Sequence, residues 1–474
     1  MRIIAVAFCC LCVSLSHPIT ADERGDAPSS AAARFRQTEV TDLRTRKDGI
    51  DWPQFLGPSG NSQSPERGIR TAWPAAGPRI VWQRKLGEGY GMPAISKGRL
   101  FQFDRVDDSA RLVCLQSETG RQLWEFTYPT DYEDLYGYSN GPRCCPVVDN
   151  DRVYIYGAEG MLHCLHVVDG RRLWNVDTKA TFGVIQNFFG VGSAPVIEGD
   201  LLIVQVGGSP TEAQKLLPGQ LDQATGNGSG VVAFDKYTGK VIYKISNQLA
   251  SYASPLLATI GERRWCFLFA RGGLLGFEPG SGKIDFEYPW RAKKLESVNA
   301  SNPVVVGNQV FISETYGPGS SLLAVRPGGY ETVWRDDPKR REKAMQTHWN
   351  TPIHRDGFLY GSSGRHSSNA ELRCIEWRTG KVRWSQPGLG RCSLLLVDDH
   401  FVCLGEFGTL RLIRANPNKY EQNAETVLSA EDPGPAQRVL RYPAWAAPLL
   451  AHGLLYVRGK DRLVCLELIP RQER

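Results

Sequence analysis

Apolar and polar residues alternate with a period of two over short runs along most of the chain. Gly- and Pro-containing turns separate the runs, and no long stretch has a helical period. The clearest run is Leu112–Trp124, LVCLQSETGRQLW. It has an apolar stretch, a turn centred on Thr119-Gly120, and a second alternating stretch that ends in an aromatic. The same frame returns at Leu162–Trp174, Val231–Tyr243, Leu274–Phe286, Leu322–Trp334 and Leu372–Trp384. Each copy predicts two antiparallel strands around a tight turn, with Gly supplying the positive φ. Repetition of this kind outranks every other signal in a sequence.

A Pro-containing strand opens each full unit, at Pro93, Pro146, Pro195, Pro255, Pro303 and Pro352. A second strand follows, and the repeated phrase supplies the third and fourth. A seventh unit, 393–428, lacks the Thr-Gly turn. An eighth, 447–469, lacks its fourth strand, whereas 79–86 (RIVWQRKL) is a fourth strand without a unit before it. Pairing the two ends closes a ring and removes both free edges. The expected fold is therefore all-β: an eight-bladed β-propeller of four-stranded antiparallel blades over residues 79–469. It is closed by the N-terminal strand on the C-terminal blade and followed by a tail, 470–474.

Ahead of the ring, Met1-Arg2 and the apolar Ile3–Leu15 read as a signal peptide, residues 1–21, cut near Ala21. Cys9, Cys10 and Cys12 lack the preceding small residue of a lipoprotein signal. Residues 22–50 are expected to be a flexible linker, and 51–78 an extended segment packed on the outside of the propeller. The chain is expected to be exported, periplasmic or extracellular, and monomeric, with no transmembrane helix. Composition agrees: 49 Gly and 29 Pro against 4 Met suit strands and turns. A net charge of +6 with both signs interspersed excludes a nucleic-acid surface.

Cys114, Cys164, Cys374 and Cys465 share one repeat position that other copies fill with Ala or Gly, so they act as small hydrophobes. Cys144-Cys145 is adjacent, and two readings stay open for it: a vicinal disulfide or two reduced, half-buried thiols. No other pair has metal-ligand spacing.

In a propeller the first strand of each blade lines the axis, so the residues before each opening Pro converge on one mouth. The candidate ligand-binding set is Tyr90, Arg143, Cys144, Cys145, Tyr252, Asn302, His348, Trp349, Asn350, Arg391 and Trp445. It is aromatic, amide-bearing and cationic, which suits a planar or anionic ligand. Arg143 and Arg391 would grip carboxylates. Alanine at both is expected to abolish anion binding and leave melting nearly unchanged. The insertions 127–141 and 207–230 border the mouth, as binding elements or as covers for apolar surface.

The phrase (D/E)-x-x-T-G-x-x-x-W, with its preceding Pro-strand, resembles the pyrroloquinoline-quinone (PQQ) repeat. The opening Asp51-Trp52-Pro53-Gln54-Phe55-x-Gly57-Pro58, with Gly141-Pro142-Arg143, resembles exported PQQ-like propellers of planctomycete bacteria. The resemblance implies the fold shared by quinoprotein alcohol dehydrogenases, which bind PQQ with calcium, and by the lipoprotein scaffold of the β-barrel assembly machine, which binds no cofactor. It also implies blade-docking roles for Trp82, Trp124, Trp174, Trp334 and Trp384. A dehydrogenase needs a carboxylate base and carboxylates on calcium. The axial set has none, and Glu133, Asp134 and Glu296 lie in loops. No catalytic or metal residue and no cofactor is therefore assigned. The favoured expectation is a cell-envelope binding or scaffold protein whose partner is an envelope protein or a small anionic or planar ligand. The alternatives are a PQQ- and calcium-dependent alcohol or sugar dehydrogenase, and a carbohydrate- or polymer-binding module.

Overall fold

Each repeated phrase folds as the outer two strands of a four-stranded antiparallel sheet. In blade one these are Ser109–Gln116 and Gln122–Pro129, outside Ala94–Ser96 and Arg99–Val106. Seven further sheets follow, with inner strands beginning at Val147, Val196, Leu256, Val304, Ile353, Cys392 and Leu449. The computed structural model describes residues 39–185, 188–429 and 438–471, all within one unit, Thr38–Arg474. The signal-like stretch and the start of the linker lie outside the described residues. Blade seven, degenerate in sequence, is nonetheless complete: Cys392–Val397, His400–Gly405, Thr409–Arg414 and Gln422–Val427. Blade eight combines Leu449–Ala451, Leu454–Arg458 and Arg462–Glu467 with Ile80–Lys85, in the register Trp82↔Cys465 and Lys85↔Arg462. The ring closes by this pairing of the two ends of the chain.

The conserved frame of the repeat has a specific consequence at the seams between blades. The Trp82 indole N–H donates to Ser117 O of the next blade at 2.8 Å. Trp124, Trp174, Trp334 and Trp384 do the same to Val167, Lys236, Trp377 and Asn416, at 2.9–3.1 Å. The ring lies flat on the turn Gly: a Cβ on Gly120 would sit 2.8 Å from Trp82, and one on Gly170 2.5 Å from Trp124. That Gly therefore serves twice, as the left-handed turn residue and as the only residue thin enough for the indole. Tyr243 keeps the pattern through its hydroxyl, which donates to Pro279 O, and Phe286 packs on Tyr330 instead.

The N-terminal segment departs from both expectations made for it. Residues 39–50, expected to be flexible, are tied down. Leu43 N donates to Lys97 O, Arg99 donates to Thr41 O, and Arg46 pairs with Glu467. The segment expected on the outside begins at the axis. Trp52, fully buried, exchanges two backbone hydrogen bonds with Ile95, and Val148 N donates to Pro53 O. Gln63–Ser64 then adds as a fifth, parallel strand to the inner edge of blade seven. The reason is the edge itself: inner strands present unpaired peptide groups to the axis, and an extended segment satisfies them. Only after Ser64 does the segment climb outward, where Gly68 N and Ile69 N donate to the Asp398 carboxylate.

Candidate functional site

The mouth lies at the opposite end of the axis, where the residues before each inner strand meet the two insertions. The structure brings most of the aromatic and cationic candidates together there. Trp445 is the hub, with ring centroids 4.9 Å from both Tyr90 and Trp349 and 6.0 Å from Tyr138. His348 packs edge-on against Trp349, and Tyr252 packs on Phe189. Arg391 stacks over Trp349 at 4.4 Å, and Arg143 lies 5.6 Å from the Tyr90 ring centre. Burial raises the Tyr90 phenol to about 12 and lowers the His348 imidazole to about 3, the latter with help from Arg391 and Arg365. Both are neutral near pH 7.

The two arginines are already spent. The Arg391 guanidinium grips Glu406 through Nε at 3.0 Å and a terminal nitrogen at 2.6 Å, and its other terminal nitrogen donates to Arg365 O. Glu406 is fully buried. Burial alone would raise its pKa, but the bonds from Arg391 hold it below the ordinary value. Arg143 likewise donates to Asp134 at 2.5 Å and to the carbonyls of Gly141 and Ser139. Asp134 also accepts from Tyr136 N and Ser139 N, so the pair builds the 127–141 insertion. Both arginines, expected to reach for a ligand carboxylate, hold an internal one in this structure. Removing either cation would strand a buried carboxylate, so their alanine variants should destabilise the fold.

The amides have also been used. Asn302 Oδ1 accepts from Ser254 N at 2.9 Å, Ser254 Oγ from Ala194 N at 2.9 Å, and Thr351 Oγ1 from Asn302 N at 3.1 Å. In each step a side chain of one blade caps the inner strand of the blade before it. Asn350 donates to Ser362 O and Cys392 O. Asn302 and Asn350 are therefore struts around the axis. Cys144 and Cys145 are buried free thiols that diverge: one sulfur faces Ser193 O of blade three, the other Pro93 O of blade one and Pro146 O. Of the two readings left open, the pair takes the reduced one. Burial raises both thiols, so neither is a nucleophile.

Residues outside the sequence-derived set complete the mouth. Tyr316 hydrogen-bonds to His348, and Arg365 stacks on Tyr316 at 4.4 Å. Glu406 was detectable from pairing alone, because the register Cys392↔Gly405 sets 391 beside 406. The rim is exposed and aromatic: Tyr138 (57%), Tyr136 (50%), Tyr442 and Phe407 (both 45%), with Leu135 beside them. Phe407 and Tyr442 stack at 5.2 Å.

A planar, carboxylate-bearing quinone needs an open slot between flat surfaces and cationic donors with bonds to spare. Here the aromatic side chains close on one another and both guanidiniums are occupied. Among the described residues no group of three or more His, Cys, Asp or Glu is placed to hold a metal ion. The residues present do not fit PQQ with calcium.

Comparison with known proteins agrees with this architecture. The structure resembles that of BamB from Moraxella catarrhalis, with a TM-score of 0.54 and 12% identity over 84% of this chain and 99% of that one. It also resembles a quinohemoprotein alcohol dehydrogenase from Comamonas testosteroni, with a TM-score of 0.59 and 10% identity over 89% and 81% of the two chains. At such identities the likeness concerns the fold alone. In sequence, the outer membrane protein assembly factor BamB of Shewanella oneidensis is 23% identical over 175 residues, 33% of this chain and 41% of that protein. The chain thus spans about two fifths of the length of the curated relative it matches. A family described as outer membrane protein assembly factor BamB matches residues 69–221 and 134–386, together more than half of the sequence. The chain therefore belongs to the PQQ-like β-propeller family of outer membrane protein assembly factor BamB.

Proposed function

We propose that this chain is an exported binding scaffold of the cell envelope, which holds another envelope protein against the aromatic rim of its mouth and transforms no substrate in the funnel. The observation that carries the reading is the division of labour at the mouth. Arg143 and Arg391 are neutralised internally by Asp134 and Glu406, while Tyr136, Tyr138, Phe407 and Tyr442 are left exposed on loops. Clustered exposed aromatics on a rigid frame favour protein recognition. Membership of a family named for an assembly factor supports it, and the apolar segment Ile3–Leu15 supports export.

The test is replacement of all four rim aromatics by alanine, followed by quantitative chemical cross-linking of intact cells. Retained melting with loss of the wild-type adducts is expected; unchanged adducts would remove the reading. A saturable quinone absorbance change on adding PQQ and calcium, with dye reduction by alcohols, would favour the dehydrogenase alternative instead. The exposed Tyr rings also suit sugar stacking. Binding to envelope polysaccharide that the same variant abolishes would move the assignment to a polymer-binding module.

A further inference from the structure

At the end of the axis away from the mouth, a cavity of about 490 Å3 opens between the inner strands of blades four, five and six and the N-terminal segment. Its walls are strand edges. The inner hairpins turn through two residues: Lys97-Gly98 in blade one, Gly261-Glu262 in blade four, Gly307-Asn308 in blade five and Asp398-Asp399 in blade seven. In such a hairpin the residues flanking the turn bond to each other. The next residue inward, Ile95, Thr259, Val305 or Leu396, therefore points its N–H and C=O at the axis.

Blades one, two and seven show what those groups do. Ile95 exchanges both with Trp52, Val148 N donates to Pro53 O, and Leu396 N donates to Ser62 O. In blade six, His354 O accepts from the Gln63 side chain. The chain's own extended segment thus covers the inner edges on one side of the axis. On the other side, the axis-facing peptide groups of Leu257, Thr259 and Val305 have no backbone partner among the described residues, and all three residues line the cavity.

We propose that this cavity is a strand-acceptor site. An extended, uncharged polypeptide segment of a partner protein adds to the inner edge of blade four or five, as Gln63–Ser64 adds to blade seven. The mode is β-augmentation: peptide hydrogen bonds give affinity and the lining sets side-chain preference. The volume lies within the range of about 300–1,000 Å3 of sites that bury compact ligands, enough for a short segment. The lining mixes aliphatic Leu256, Val304 and Val306 with Asn61 and Gln63. Its one cation, Arg355, is balanced within the lining by Asp356, so the lining itself carries no net formal charge to attract a charged segment. The site does not depend on the reading of the mouth.

The test is selection of a displayed random-heptapeptide library on the full chain, followed by N-methylation of each peptide amide in turn. Two variants go with it, Val305→Pro and Thr259→Pro. Each removes an N–H that faces the axis and makes no ladder bond, which proline tolerates on an edge strand. Enriched peptides are expected to lose about tenfold or more in affinity when alternate amides are methylated. They are expected to weaken similarly on at least one proline variant that melts as wild type, and to bind Tyr138→Ala unchanged. No enrichment, insensitivity to amide methylation, or dependence on Tyr138 would each overturn the proposal. The methylation series reads the wild-type protein, so it decides even if the proline variants misfold.

Discussion

The seams between blades and the mouth of the ring use the same kinds of residue under opposite rules. At five seams one Trp donates one bond to one carbonyl of the next blade, and at four of them, those of Trp82, Trp124, Trp174 and Trp334, the ring lies on the turn Gly. At the mouth every blade contributes something different. Trp445 and Trp349 pack against each other at a tilt, and two arginines find carboxylates supplied by the turn after a neighbouring strand and by an insertion. A repeated contact can be read from a repeated letter. A contact made once depends on which neighbour folding brings near.

The contrast can be tested by breaking each region in turn. Arg391→Ala should have the largest effect. It leaves Glu406 buried and unpaired, at a cost of about 3–5 kcal/mol, measurable by chemical denaturation. Replacing Arg391 with Met and Glu406 with Leu together should recover much of the loss, which a ligand-gripping arginine would not predict. At the seam, Gly120→Ala should cost about 1–3 kcal/mol, since the new methyl meets the Trp82 ring and the backbone stays at positive φ.

Acid should act on the mouth next. The folded-state pKa of His348 is lowered, so the unfolded chain takes up a proton below its ordinary value near 6.5 while the folded chain refuses it until about 3. Stability should therefore fall as pH drops below 6.5, by at most about 1.4 kcal/mol per pH unit for that residue. Buried His163, lowered to about 4, adds to the slope. His452 works the other way. Burial lowers its pKa, but Asp51 and the Asp48 carbonyl raise it overall, so its contribution is complete at low pH and lost as pH rises through the folded value. Thermal melts between pH 7 and pH 5 should show a shallower decline for His348→Gln. Least of all, Tyr138→Ala should change stability by less than about 0.5 kcal/mol, while removing rim contacts.

Much of the ring was legible because it is periodic. The number of blades, the closure by 79–86 and the five docking Trp positions follow from repeated spacing. The candidate axial positions were legible too, since the Pro-strands mark where each blade begins. What those side chains touch was not. Asn302 looked like a ligand-facing amide because nothing local shows that blade four's Ser254 N–H lies 2.9 Å away. Glu406 lies just past a strand end, and its link to Arg391 shows only once that hairpin's register is worked out. The N-terminal segment read as an outer wrapping because its Pro and Gly content resembles any loop, whereas its backbone serves as a strand for edges that belong to other blades.

The central claim is that recognition lies with the rim aromatics and that the charges beneath them are structural. Its most direct test places a photo-cross-linking benzophenone side chain at 138, at 407 and, as a control, at exposed Ile242 on the outer strand of blade three, in living cells. Discrete adducts with an envelope protein from 138 and 407, and none from 242, are the predicted result. The same adducts from all three positions, or none from the rim, would contradict it.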